Sequence, residues 1–466
     1  KGTVKDVVFR DPTLMIGQKG ENDSAGNCKS LKGVGILAGR SEGKLTEIAV
    51  TRTKQNSNTV ETNVKVDVSN ANVSDSKDTL GVGMLVGVLA KYENGTIQTL
   101  SSGTVSNLTI EGKLEAVLPS SVKQTDAYGI GGIIGYANLN NKKGTIQING
   151  CTNDADVSGN VNTGGIVGRL DGTFLYNNGT KYKVSKLKQK ADILNCNDNG
   201  LILCDNISTQ KAGSTIEGNY FGGIVGYSNQ ALVYNAVSAL GRSGSFRYSS
   251  DDQKELLQGR YVGGIAGYGE HTLLSNCSTE KNGYVLGDEY VGGIAGGLGG
   301  GVPDAIQAST ESGASVTTNA SYVIGNGYVG GIVGENSTNV TLKNCINQGV
   351  AAGYKQYVGG IVGYNQADST IADCASYLSD YDNSVYNMIV HKWKATASFA
   401  GGIAGYNDGA ITFSDESEAI TVKSVSSIVV GQNYVGGIAG FNDENATIDV
   451  HYTLIGGRIY AYGKCA

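Results

Sequence analysis

The feature that most constrains this 466-residue chain is a seven-residue pattern that recurs along it. Its clearest form, Tyr-Val-Gly-Gly-Ile-Ala-Gly, stands at Tyr261–Gly267, Tyr290–Gly296 and Tyr434–Gly440. Close variants run Tyr328–Gly334, Tyr357–Gly363, Phe399–Gly405, Tyr220–Gly226, Asn162–Gly168 and Gly129–Gly135. Gly33–Gly39 and Gly81–Gly87 lack one glycine of the central pair and bring the copies to eleven. The shortest interval is 29 residues, from Gly267 to Gly296 and again from Gly334 to Gly363. A fixed minimum period with variable insertions is the signature of one supersecondary unit repeated in tandem.

Two further landmarks mark each unit. An aliphatic-x-x-small step follows the motif, as in Leu342–Cys345, Ile371–Cys374, Leu274–Cys277, Ile193–Cys196 and Ile148–Cys151. A β-branched run ending in glycine precedes the next motif, as in Val285–Gly287, Val323–Gly325 and Val429–Gly431. The unit reads as three short strands separated by Gly, Asn and Asp turns. A propeller blade needs about 40–50 residues and four strands, more than the shortest unit provides. The expected fold is therefore all-β: a single right-handed parallel β-helix, or solenoid, of about eleven coils with loop and hairpin insertions. One domain is expected over 1–466. Residues 1–30 form an N-terminal cap region, 31–445 the coils, and 446–466 a C-terminal cap or a continuation into a larger protein. Excursions are expected near 50–80, 172–215 and 376–398.

Val262 and Ile265 are three residues apart, which breaks the alternation of a flat strand. Both can face inward only if Gly263-Gly264 bends the chain between them. Tyr261 then faces outward. The same reasoning sets Tyr220, Tyr290, Tyr328, Tyr357 and Tyr434 in an outward stripe, one per coil. Tyrosine outnumbers phenylalanine 26 to 7, which suits a half-exposed surface because Tyr joins an apolar ring to a wet hydroxyl.

Segments such as Tyr261–Tyr268 (YVGGIAGY) and Tyr357–Tyr364 (YVGGIVGY) resemble the GLUG motif, a glycine-rich repeat of bacterial surface and secreted proteins. The resemblance covers roughly residues 30 to 445. It implies a repeat scaffold at the cell surface or in secreted form, as in haemagglutinin-like adhesins and the non-catalytic regions of IgA-specific metallopeptidases. The peptidase signature H-E-x-x-H is absent from the chain, so the resemblance carries over no protease activity.

Other chemistry is thinly represented. Cys151, Cys196, Cys277, Cys345 and Cys374 share one register, which other coils fill with Ile48, Leu100, Ala236 and Ser414. That mixture reads as a packed site holding free thiols rather than bridges or metal. Cys28, Cys204 and Cys465 lie off register. His271, His391 and His451 are far apart along the chain. The acidic pairs Asp154/Asp156, Asp251/Asp252 and Asp380/Asp382 read as turn residues, none aligned with an acid of the neighbouring coil. Gly296–Gly301 reads as a loop, and the lysine-rich stretch Lys181–Lys190 as a solvated hairpin or loop. A formal charge of −6 with 17% charged residues offers no basic stripe for nucleic acid, and no run of 18 apolar residues offers a membrane span.

The expected function is a non-enzymatic bacterial cell-surface or secreted scaffold, an adhesin-like shaft for host glycan or protein. Alternatives are a non-catalytic accessory domain of a larger secreted peptidase and a β-helix polysaccharide lyase or hydrolase. The candidate binding residues are the stripe Tyr261, Tyr290, Tyr328, Tyr357 and Tyr434, together with Tyr381, Tyr386 and Trp393 in an insertion. No cofactor, metal or catalytic residue is assigned. The chain is expected to be a monomeric segment of a longer protein.

Overall fold

The computed structural model describes residues 2–16, 32–55, 58–59, 63–67, 79–93, 96–98, 100, 104–118, 127–139, 146–173, 189, 191–204, 219–239, 259–281, 283–300, 306–307, 317–377, 396–413, 424–450 and 454–461. The chain divides into two compact units, Lys1–Leu175 with Lys188–Leu232, and Tyr176–Leu187 with Val233–Ala466. Parallel sheets build both, and in each sheet of motif strands the strand order follows the sequence. Each passage of the chain adds one parallel strand to each face, the arrangement of a parallel β-helix. Among the described residues no helix is long and apolar enough to cross a membrane.

Each motif copy supplies one strand to each of two faces. In the second unit the first face is built from Tyr261–Gly263, Tyr290–Gly292, Tyr328–Gly330, Tyr357–Gly359, Phe399–Gly401 and Tyr434–Gly436. Equivalent residues sit rung on rung: Tyr261 pairs with Tyr290, Tyr290 with Tyr328, Tyr328 with Tyr357, Tyr357 with Phe399, and Phe399 with Tyr434. The second face follows at once in Ala266–Glu270, Ala295–Gly299, Val333–Asn336, Val362–Asn365, Ala404–Asn407 and Ala439–Asn442. Five coils of the first unit repeat the scheme, beginning at Gly33–Val34 and Ala38–Ser41. The run Gly296–Gly299 is thus strand, not the expected loop.

Val291, Val329, Ile294 and Ile332 are fully buried while Tyr290 and Tyr328 are half-exposed, as the spacing argument requires. The glycines between them do more than bend the chain. A Cβ on Gly330 would run into the carbonyl oxygen of Val333 in its own rung. A Cβ on Gly331 would meet the next rung's Gly360 carbonyl and the buried amide of Asn347. At this corner of the second unit backbone packs against backbone, whereas in the first unit Ile36 and Met84 stand in place of the second glycine.

The third face carries the aliphatic-x-x-Cys step, and here a left-handed residue precedes each register cysteine and turns its rung. Asn235, Asn276, Asn344 and Asp373 have φ of 54°, 56°, 53° and 50°, and Glu47, Asn107, Gly150 and Asn195 do the same in the first unit. Asn, Asp and Gly tolerate that region best. The turn carries the next side chain inward. All five register cysteines are free and fully buried, as expected, and each thiol lies against the carbonyl two residues back, as Cys374 does on Ala372 at 3.2 Å. Register corrects one assignment: Ile48 pairs with Leu108, so Leu108 rather than Leu100 occupies the cysteine position of that coil. Ser414, His391, His451, Cys28 and Cys465 lie outside the described residues, as does Lys181–Lys190 apart from residue 189.

Two expected excursions contain rung strands. Asn63–Asp67 pairs with Val105–Val117, and Ile193–Leu194, Asn197–Asp198 and Ile202–Cys204 pair with Ile148–Gly159. Within the expected cap regions, Thr3–Arg10 pairs with Lys44–Thr51 and Leu454–Ala461 with Ser424–Gly431.

Two outcomes test the packing. Gly330→Ala should cost about 3 kcal/mol, because backbone must move to admit the methyl group, whereas Gly2→Ala, with nothing nearby, should be neutral. Chemical denaturation of both variants reads the difference. Burial pushes the Cys277 thiol up to about 12. Iodoacetamide should therefore leave Cys277 unmodified in the native protein and alkylate it after unfolding, as read by peptide mass spectrometry.

Candidate aromatic binding strip

The second unit carries two adjoining rows of aromatic side chains. The first row is Tyr261, Tyr290, Tyr328, Tyr357, Phe399 and Tyr434, one residue before each inward Val or Ala. The repeat places the first row in sequence, and register brings the residues of each row into line. Tyr261 stacks on Tyr290 with ring centroids 4.4 Å apart, Tyr290 on Tyr328 at 4.6 Å, and Phe399 on Tyr434 at 4.8 Å, each pair within 9° of parallel. These spacings follow the rung separation of about 4.8 Å.

The second row stands on the neighbouring face. Its register positions are Tyr268, Gly297, Glu335, Tyr364, Tyr406 and Phe441. The rows touch across the glycine corner, with Tyr261 edge-on to Tyr268 at 5.1 Å and Tyr357 tilted against Tyr406 at 5.1 Å. Tyr364 is edge-on to Tyr406, and Tyr406 stacks on Phe441 at 5.0 Å. Around Tyr364 and Tyr406 the rings are thus tilted rather than uniformly stacked. At the last of these rungs Tyr434 is 52% exposed.

Carboxylates border the rings. The Tyr406 hydroxyl donates to Asp443 at 2.7 Å, which holds the Asp443 carboxyl below its ordinary range. Glu335 interrupts the second row and is only 8% exposed. The Tyr261 hydroxyl, two rungs away, donates to it at 3.1 Å, and the Gln366 side-chain amide donates at 2.7 Å. Gly297 makes this reach possible, since a Cβ there would strike the Tyr261 and Tyr268 rings. Burial raises the Glu335 carboxyl above its usual range against the pull of both donors. Burial likewise raises the Tyr261 and Tyr290 hydroxyls.

Directly beneath the second row lies an amide ladder that the motif reading missed. Asn336 donates to Asn365 at 2.8 Å, Asn365 to Asn407 at 2.8 Å, and Asn407 to Asn442 at 2.7 Å. A parallel series runs behind the corner, from Thr279 to Asn319 to Asn347 to Ser376. A buried amide is costly unless bonded, and identical amides one rung apart satisfy one another. The signal was present in sequence, because an Asn follows Glu335, Tyr364, Tyr406 and Phe441 at the same offset from each motif.

In the first unit the corresponding positions differ. Gly33, Gly81, Gly129 and Asn162 replace the first-row tyrosine. Tyr220, expected in the outward stripe, is 5% exposed and tilts against Tyr227. The second-row residues Tyr136, Arg169 and Tyr227 are buried, with the Arg169 guanidinium 4.6 Å over the Tyr227 ring. The exposed strip therefore belongs to the second unit.

The stripe residues Tyr261, Tyr290, Tyr328, Tyr357 and Tyr434 are brought together as expected. Tyr381, Tyr386 and Trp393 lie outside the described residues, as do Asp251, Asp252, Asp380 and Asp382. Asp154 and Asp156 stand on the strand Thr152–Gly159, not in a turn. Asp154 aligns with Glu111 of the neighbouring rung, against the expectation of no aligned acid. Asp154 accepts from Asn199 and Asp156 from the Leu201 backbone, while Glu111 accepts from the Arg52 backbone. Among the described residues no group of three His, Cys, Asp or Glu is placed to hold a metal.

The family model of the GLUG motif matches residues 356–376. The chain carries the GLUG motif. The matched stretch is one coil of the second unit, taking in the strip residues Tyr357 and Tyr364, the ladder residues Asn365 and Ser376, and the Asp373-Cys374 turn. No curated protein and no solved structure matches the chain. The GLUG coil is thus a device for stacking: tyrosine outside, glycine at the corner, asparagine and cysteine within.

Glu335 provides a test of the strip's interior. A carboxyl whose folded pKa lies above its unfolded value holds its proton more tightly when folded. Its contribution to stability is full at low pH and is lost as pH rises through the folded value. Glu335→Gln keeps partners for Tyr261 and Gln366 while removing the charge. The variant should lose less stability than the parent as pH rises above the ordinary glutamate range, read in denaturant titrations. Parallel pH profiles for the two proteins would contradict the assignment.

Proposed function

We propose that this protein is a non-enzymatic bacterial scaffold, secreted or displayed at the cell surface, and that its aromatic strip binds an extended glycan. One observation carries the reading. In that register the first unit has Gly33, Gly81 and Gly129, where a Cβ would strike backbone, and Asn162, whereas the second unit leaves the position open and fills it with half-exposed aromatic rings. A coil can thus stack without a ring at this position, and six successive aromatic rungs are particular to the second unit. Flat apolar rings with polar edges, bordered by carboxylate acceptors, are the chemistry that holds sugar rings. The strip runs along the stacking direction, which suits a polymer over a single sugar. The surface setting rests on the GLUG resemblance.

A glycan array probed with the full chain tests this. The double variant Tyr364→Ala, Tyr406→Ala should lower affinity for the best glycan at least about tenfold, or ~1.4 kcal/mol, in protein that retains its β-sheet circular dichroism. The variant Tyr386→Ala, Trp393→Ala runs in parallel. Affinity lost only in that second variant would move the site to the insertion, and no binding to any glycan would sink the proposal.

A further inference from the structure

The charge around the strip narrows the ligand class. The second-face segments of the second unit, 266–271, 295–300, 333–340, 362–370, 404–410 and 439–447, contain no lysine or arginine. The same segments supply Glu270, Glu335, Asp408 and Asp443. Asp443 is bonded to the Tyr406 ring hydroxyl, and Asp408 lies close enough to Tyr364 to raise its hydroxyl pKa, second to burial. One cation already occupies such a setting. The Arg260 guanidinium lies 5.5 Å from the Tyr261 ring centroid and 5.8 Å from that of Tyr290, and it pairs with Glu289 at 2.7 Å. Among the described residues, Lys355, two positions before Tyr357, is the other lysine or arginine next to the first row. Toward the Tyr364–Tyr434 end, rings and carboxylates recur with no protein cation between them among the described residues of those segments.

We propose that the strip selects a cationic glycan, a polymer of hexosamines carrying free amines. The inference rests on the glycan reading above and adds the charge of the ligand. A protonated amine placed between the Tyr364 and Tyr406 rings and the Asp408 and Asp443 carboxylates would repeat the arrangement that Arg260 makes with Tyr261, Tyr290 and Glu289. A uronic or sulfated polymer meets like charge at Asp408 and Asp443 and is turned away. A neutral polymer offers the carboxylates hydroxyl donors but no countercharge.

The experiment compares chitosan oligomers, which bear free amines, with length-matched N-acetylated oligomers, using calorimetry on the full chain near pH 5.5. The free-amine series should bind at least about tenfold tighter, strengthen with length, and weaken steeply between low and high salt. Asp408→Asn with Asp443→Asn should abolish the preference. Glu47→Gln with Glu93→Gln, which removes equal charge from the first unit, should leave it intact. Equal or tighter binding of the acetylated series overturns the charge inference and leaves the glycan reading standing. Binding of a different glycan from the array, with no response to chitosan, has the same consequence. A preference that falls equally in both charge variants marks diffuse attraction and also overturns it. Failure of every glycan to bind removes both readings together.

Discussion

The structure depends on backbone approaching backbone at the glycine corner. Two faces meet there with too little space for a side chain, as the surroundings of Gly330 and Gly331 show. Close approach brings peptide groups, buried amides and thiols into one narrow interior, where every polar group needs a partner. Sheet ladders satisfy the peptide groups. The amide series from Asn336 to Asn442 satisfies the side chains, each rung donating to the next. At its end Asn336 lies in register with Leu298, and its side-chain oxygen has no partner. That oxygen shows why such a ladder has to run without interruption: one apolar rung leaves its neighbour short.

The same register that stacks amides inside stacks rings outside. A residue facing solvent before each inward valine recurs one rung away, so a chain that places tyrosine there builds an aromatic row. Whether the row is exposed depends on its surroundings. Tyr227 and Tyr136 are buried in the first unit, whereas Tyr364 and Tyr406 are half-exposed in the second. Function on such a scaffold comes from what occupies the outward positions, because the inward ones are committed to stacking.

Much of the coil was legible in sequence because its period is short and its chemistry local. The inward Val and Ile, the outward Tyr and the buried cysteine register all follow from spacing within a dozen residues. Assignments failed where the interval carried rung strands of unfamiliar sequence, as at Asn63–Asp67 and Ile202–Cys204, or where an insertion shifted the count, as with Leu100 and Leu108. Parallel pairing tolerates any sequence whose alternate residues can face inward, so strand partners are not marked by composition. The asparagines were visible but unread, since Asn in a glycine-rich chain ordinarily signals a turn. Some are turns, such as Asn276, and others are core, such as Asn365.

The amino-acid sequence by itself determined that this chain stacks: the period, the glycine corner and the outward tyrosine leave few other ways to bury the aliphatic residues. Only the tertiary structure decided which rings form one surface. Tyr261 reaches Glu335 across 74 residues and two rungs, and Tyr357 meets Tyr406 across a face boundary. Those meetings depend on register and on the absence of a side chain at Gly297, a neighbour relation between rungs that no local pattern encodes.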